Sequence, residues 1–133
     1  MKYLVDTDWV VDYLVGVESA RDLFDLLLPN GIAISIITHS EIYEGIYGSP
    51  NPKQAEEAFR DLLRRMTVLD VTRQVAKENA KLRGELRRLK HPITQRAFDL
   101  LIAATAIAHN LTLVTRNLRD YEDVPNLKLY QQL

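Results

Sequence analysis

The chain has 133 residues, 47% of them hydrophobic and 26% charged, with a formal net charge of −1. This is the composition of one globular domain that can build a core of its own, and it excludes a disordered chain. With no cysteine present, disulfide frameworks, thiolate metal sites and a cysteine nucleophile are excluded as well.

Bulk charge neither announces nor excludes a nucleic-acid binder, because local patches matter more than totals. The opening MKYLVD lacks the basic and apolar regions of a signal peptide. The longest apolar stretch, 100–108, is broken by Thr105 and too short to span a bilayer. A cytoplasmic protein is expected.

Residues 2–5 (KYLV) form a short apolar run that reads as a buried strand. Residues 9–15 read as a short helix that Gly16 stops, and 18–28 as a second helix with Ala20, Leu23, Phe24, Leu27 and Leu28 at helical spacing. Pro29-Asn30-Gly31 is a turn. Residues 32–37 (IAISII) are β-branched and apolar, so they read as a second buried strand.

Thr38 is placed to open a helix running to about Tyr47. After the 48–52 loop, Asn51 is placed to cap the next helix, with Pro52 at its first position. That helix sets Ala55, Phe59, Leu62, Leu63 and Met66 on one face. Residues 67–71 make a third strand. Thr72 can cap a long helix with Val75, Asn79, Leu82, Leu86 and Leu89 on one stripe, ended by Pro92. A further helix covers 95–109, a fourth strand 111–115 and a fifth 127–130. Short apolar strands alternating with helices imply a parallel sheet covered on both faces. Such sheets bind ligands at the carboxyl ends of their strands.

The polar residues at those ends carry the chemistry. Asp6 directly follows the first strand, and Thr7 and Asp8 extend a polar triplet. Taken alone, a helix cap explains Asp6 or Thr7 well. Asp99 lies in AFDLLIAATAIA, where only it and Thr105 are polar. A carboxylate near the start of so apolar a helix is metal-bound, protonated or paired, and Arg96 three residues back offers a partner. Glu41 completes Thr38-His39-Ser40-Glu41, a capping-box pattern, yet it also stands just past a strand. The fourth strand ends at Thr115 and a polar turn follows, in which one helical turn would put Asn117 and Asp120 on one face.

A cluster of carboxylates needs a counter-charge. Oxygen ligands with no cysteine and no histidine set favour a hard cation, Mg²⁺ or Mn²⁺, and such ions chiefly serve phosphate chemistry. Walker A, G-x-G-x-x-G and G-x-S-x-G segments are absent, and His39, His91 and His109 show no ligand spacing. Trp9 reads as core. Lys81, Arg83, Arg87, Arg88, Lys90 and His91 form a basic stretch. It reads either as a solvated helix face paired with Glu78 and Glu85 or as a contact surface for a phosphate backbone.

The segments YLVDTD, ISIITHSEIYEG, FDLLIAATAIAHNLTLVTRN and RDYEDVPNLKLY together resemble the PIN-domain ribonucleases, and within them the VapC-type toxins of toxin–antitoxin pairs. The resemblance spans nearly the whole chain. It implies a three-layer α/β/α sandwich, a single PIN domain over 1–133 with a five-stranded parallel sheet. It also implies a Mg²⁺-dependent endoribonuclease, with Mn²⁺ as a possible substitute. Asp6 and Asp99 then stand as metal ligands, Glu41 as the next acid and Asp120 as a fourth. Thr7, Thr115 and Asn117 are further polar members of the site. Tyr121 stands where Phe is more usual, a change expected to be harmless.

The implied partners are an RNA substrate, a VapB-like antitoxin, a second copy of the chain in a homodimer, and DNA only through the antitoxin. Ile42, Tyr43, Ile46 and Tyr47 are candidates for antitoxin contact or for internal packing. Two other classes compete. One is a non-catalytic binding module, either an inert PIN scaffold or a receiver-like domain. A receiver would need a phosphate-accepting Asp after its third strand, and Asp70 lies within that region; no Lys follows the last strand suitably. The other is a 5′ flap nuclease acting on DNA, for which the chain lacks the expected helical additions.

Overall fold

The computed structural model describes residues 1–131. Five strands, β1 (Tyr3–Val5), β2 (Ile32–Ser35), β3 (Thr67–Leu69), β4 (Thr112–Val114) and β5 (Lys128–Leu129), form one sheet in the order β3-β2-β1-β4-β5. Every neighbouring pair is parallel. Six helices connect them: α1 (Thr7–Leu14), α2 (Glu18–Leu27), α3 (Ile36–Tyr47), α4 (Pro52–Leu63), α5 (Arg73–Arg88) and α6 (Ala97–Ala108).

Side-chain alternation along the strands divides the core in two. Tyr3, Val5, Ile32, Ile34 and Val114 face one side and pack with Trp9, Phe24, Ile42, Ile46 and Phe59 of α1–α4. Leu4, Ala33 and Leu113 face the other side and meet Leu82, Leu86, Leu100, Ile102 and Ala103 of α5 and α6. Both faces are therefore dry, which is why the strands read as unbroken apolar runs.

The caps follow ordinary backbone chemistry. Asn51 and Thr72 accept from Gln54 N and Val75 N, as expected, and Pro52 opens α4. Gly31 adopts φ +84 at the turn into β2, where an added Cβ would come within 2.8 Å of Met1 Cα, so only glycine fits there. The Leu89 end of the α5 stripe stays 49% exposed.

The second strand is shorter than its pattern suggests. Ser35, not Thr38, caps α3 by accepting from Ile37 N at 3.0 Å. Ile36 and Ile37 belong to the helix, and Thr38 is buried inside it. The strand order also excludes the receiver-like reading, because that doubly wound fold orders its strands 2-1-3-4-5.

The chain builds outward from β1 to β3, then returns to the other side of β1 with β4. The loops leaving β1 and β4 thus diverge, opening a crevice at the sheet's carboxyl edge. No helix among the described residues is long and apolar enough to cross a membrane.

Candidate active site

Asp6 ends β1 and sits at the mouth of that crevice. Its Oδ1 accepts from Thr7 N at 2.8 Å, which makes it the N-cap of α1. Capping occupies only one oxygen. Oδ2 accepts from Thr115 Oγ1 at 2.8 Å, across from the end of β4, and from the Tyr121 hydroxyl at 3.3 Å. The side chain is almost fully buried, and burial is the main cause that pushes its pKa up, against the lowering effect of the Thr115 and Thr7 bonds; the charge on Asp99 raises it further.

Asp99 is the third residue of α6, where the helix dipole favours an anion. Its expected partner does not bind it: the Arg96 guanidinium bonds Asp123 and two backbone oxygens instead. Arg96 stands before the helix, at the N-cap with non-helical ψ, so its side chain does not follow the i, i+3 face. Burial raises the pKa of Asp99 first and Asp120 second, with Glu41 adding to the rise, while Tyr121 and Arg96 lower it. Asp99 thus lies within reach of the charges of Asp120 and Glu41, and Asp6 within reach of the charge of Asp99.

Glu41 lies on the second turn of α3, so it is not the N3 partner of a capping box. Its Oε1 accepts from the Thr7 hydroxyl at 2.7 Å, and Thr7 shares a 3.0 Å hydrogen bond with Thr38. Thr7, the residue after Asp6, therefore links α1 to α3 and holds Glu41. Glu41 and Asp99 also line one open cleft of about 320 Å³ with Gln95, Ala97 and Phe98.

Beyond β4, Thr115 Oγ1 accepts from Asn117 N at 3.1 Å while donating to Asp6. Asn117 turns its amide to Asp8 Oδ2 at 2.8 Å rather than to the acids. Asp120 closes a short 3-10 turn, Leu118–Asp120, and is exposed. Asn117 and Asp120 thus do not share a face toward one ligand. Arg116 bonds Asp12 Oδ2 at 2.7 Å and lies 3.7 Å over the Trp9 ring, which is core, as expected.

Tyr121 is the member that the sequence hides. It is 1% exposed, and its hydroxyl bonds Asp6 and steadies ionised Asp99. Burial and the two carboxylates push its own pKa far upward, so it acts only as a donor. An aromatic at this position reads as core filling; only the strand order brings it to Asp6. A phenylalanine here would lack the hydroxyl that meets Asp6.

The basic stretch is largely exposed, and among the described residues none of its lysines or arginines pairs with Glu78 or Glu85. His91 pairs with Asp123. Ile42 and Ile46 are packed inside, Tyr43 donates to Glu56 Oε2 at 2.8 Å, and Tyr47 is 72% exposed.

The family model for the PIN domain matches residues 3–127. The chain is 34% identical over 132 residues to Ribonuclease VapC2 of Rickettsia felis, covering 97% of this chain and 96% of that protein. It is 29% identical over 130 residues to the tRNA(fMet)-specific endonuclease VapC of Salmonella typhimurium, covering 97% and 96%. The crystal structure of VapBC2 from Rickettsia felis bound to a DNA fragment from their promoter matches with a TM-score of 0.88 at 32% identity, covering 100% of both chains.

Proposed function

The chain belongs to the PIN-domain family, and from that premise we propose that it is a metal-dependent endoribonuclease, the toxin of a type II toxin–antitoxin pair. One observation carries the reading. Burial pushes up the carboxyl pKa of both Asp6 and Asp99; the charge on Asp99 adds to the rise at Asp6, and the charges on Asp120 and Glu41 add to the rise at Asp99. Such a cluster stays ionised only with a counter-ion.

The donor set suits a hard cation, since all four groups are carboxylates. Among the described residues no three His, Asp or Glu side chains converge closely enough to cage an ion. The reading therefore takes Mg²⁺, which keeps several waters and needs only one or two carboxylates directly. Asp6 and Asp99 would hold it, with Mn²⁺ as a substitute. Glu41 and Asp120 would complete the shell through water or orient the attacking water. When bound, such an ion lowers the pKa of water and offsets charge in phosphodiester hydrolysis.

The chain's own residues prepare the rest. Thr7 N, Thr115 and Tyr121 fix Asp6 before any ligand arrives. The Thr7 hydroxyl occupies Glu41 Oε1 and leaves Oε2 to accept from a water. A proton released on attack passes to the acids as a coupled group, not to one assigned base.

The partners follow from the same reading: RNA as substrate, a VapB-like antitoxin, a second copy of the chain, and DNA only through the antitoxin, all in the cytoplasm. An apolar groove of about 260 Å³ supports the antitoxin assignment. It is lined by Val11, Leu14, Val15, Ile42 and Ile46, with Glu41 also in its wall. An apolar segment lying there would reach the acids. Asp6→Asn or Asp99→Asn is expected to abolish cleavage with the fold intact, scored by mapping new RNA 5′ ends after induction and by circular dichroism. Full activity in either purified variant, or undiminished cleavage in excess EDTA, would refute the mechanism.

A further inference from the structure

Arg96 stands three residues before Asp99, yet its guanidinium serves another part of the chain. Nη1 donates to Asp123 Oδ2 at 2.9 Å and Nη2 to Asp123 Oδ1 at 2.7 Å, a two-pronged ion pair. The same two nitrogens reach the backbone oxygens of Pro92 at 2.8 Å and Asp120 at 2.9 Å. His91 Nδ1 lies 3.2 Å from Asp123 Oδ2. The Arg96 and Asp123 side chains are only 17% and 23% exposed, so salt screens the pair less than a surface one. Arg96 and then His91 hold the Asp123 carboxyl below its usual range.

One guanidinium therefore ties together the start of α6, the turn after α5 and the loop that carries Asp120 and Tyr121. Gln95, the residue before Arg96, holds φ 65 in the left-handed region, whereas Lys90 at φ 62 is the left-handed residue of an ordinary helix cap, with Lys90 N bonding Arg87 O and His91 N bonding Leu86 O. Asp120 is exposed, and what fixes its backbone is the bond from its N–H to Asn117 O at 3.0 Å and the Arg96 contact on its own carbonyl. Tyr121, the next residue, carries the hydroxyl that meets Asp6.

The geometry points to Arg96, anchored by Asp123, as a positioning residue of the acid site: it sets the Asp120 carboxyl and the Tyr121 hydroxyl against Asp99 and Asp6. Arg96 touches no carboxylate of the site itself. It acts through the loop, and a lysine cannot reproduce its fork. The inference rests on the nuclease reading above, because it assigns the clip a role in holding acids that act together.

The test is a mutant cycle read by Mn²⁺ binding, followed by electron paramagnetic resonance, alongside kcat and KM on a short single-stranded RNA. Arg96→Ala and Asp123→Asn are expected to weaken Mn²⁺ binding about tenfold, the scale seen for residues that orient metal ligands. Arg96→Lys should lose less, and kcat should fall by a larger factor than KM rises. In a background carrying both Asp120→Ala and Tyr121→Phe, Arg96→Ala should lose most of its effect, since it acts through those two side chains.

Undiminished Mn²⁺ affinity in Arg96→Ala and Asp123→Asn would overturn the proposal, and so would an equal loss with and without the Asp120 carboxyl and the Tyr121 hydroxyl together. If Arg96→Ala does not fold, Asp123→Asn and Arg96→Lys carry the same comparison. A wild-type protein that neither binds Mn²⁺ nor cleaves RNA would overturn the nuclease reading and this inference with it. A binding, cleaving wild type with unaffected variants would overturn the clip alone.

Discussion

Tyr121→Phe removes one oxygen and keeps the ring in place. The ring is 1% exposed and packs with Leu4, Leu100 and Leu113, so its apolar contacts survive the change. What disappears is the 3.3 Å bond to Asp6 Oδ2 and the hydroxyl's support for ionised Asp99. A hydrogen bond to a charged group contributes about 1.5–3 kcal/mol. The low end applies, because the bond is long and Thr115 still donates to the same oxygen at 2.8 Å. Releasing the buried hydroxyl from its own desolvation offsets part of that. The net loss is about 1 kcal/mol, or roughly 4 °C in Tm for a domain of this size.

The pH dependence gives the sharper check. Tyr121 favours the carboxylate form, so its removal raises folded-state carboxyl pKa values that burial already raises. The deficit is therefore full at neutral pH and fades as pH falls through the raised carboxyl range, where both proteins hold protonated acids. Thermal unfolding in EDTA by near-ultraviolet circular dichroism, at neutral pH and at about pH 4, reads it directly. Equal Tm values at neutral pH would refute the reasoning, and so would a deficit that persists unchanged in acid.

Other outcomes follow from the same geometry. The carboxyl of Asp99 has a raised folded pKa, so folding favours its protonated form, and its charge costs stability above that range. Metal-free Asp99→Asn should therefore unfold at a higher Tm than wild type at neutral pH, by at most about 1 kcal/mol for a half-exposed group, with the gap closing as pH falls; a lower Tm in calorimetry would count against it. Thr7→Val strips the donor from Glu41 Oε1 and should lower kcat about tenfold or more without unfolding the protein. Wild-type turnover would show that Glu41 needs no such support. Phe59→Ala empties a fully buried site beside His39 and Tyr43, and chemical denaturation should show a loss of about 3–5 kcal/mol.

Local pattern reaches the elements and stops short of their partners. The caps at Asn51 and Thr72 were legible because a cap is decided within four residues. The start of α3 was not. Ile36 and Ile37 are β-branched and continue an apolar strand, so they read as β; the helix takes them because Ser35 caps it and tertiary packing overrides their propensity. The shift moves Glu41 from a cap-facing position to one that faces Thr7, 34 residues away. Arg96 misled for a related reason. Spacing pairs it with Asp99, but its true partner lies 27 residues on, at Asp123.

The candidate site itself depends on strand order, which no run of residues encodes alone. Asp6 and Thr115 are 109 positions apart and meet only because β4 lies beside β1. Periodicity predicts that each follows a strand, and hence that each stands at the carboxyl edge. It does not say that the two strands are neighbours. Once they are, Oδ2 of Asp6 sits where both Thr115 and Tyr121 can donate, and a residue that looks like core filling becomes part of the acid site. Asp6 draws notice from its place at a strand end because burying charge there has few stable outcomes, whereas the roles given to Glu41, Asp99 and Asp120 come from the family resemblance. The hydroxyls of Thr38 and Tyr121 carry no such mark, since a buried hydroxyl is satisfied by many partners and its partner is chosen by the fold.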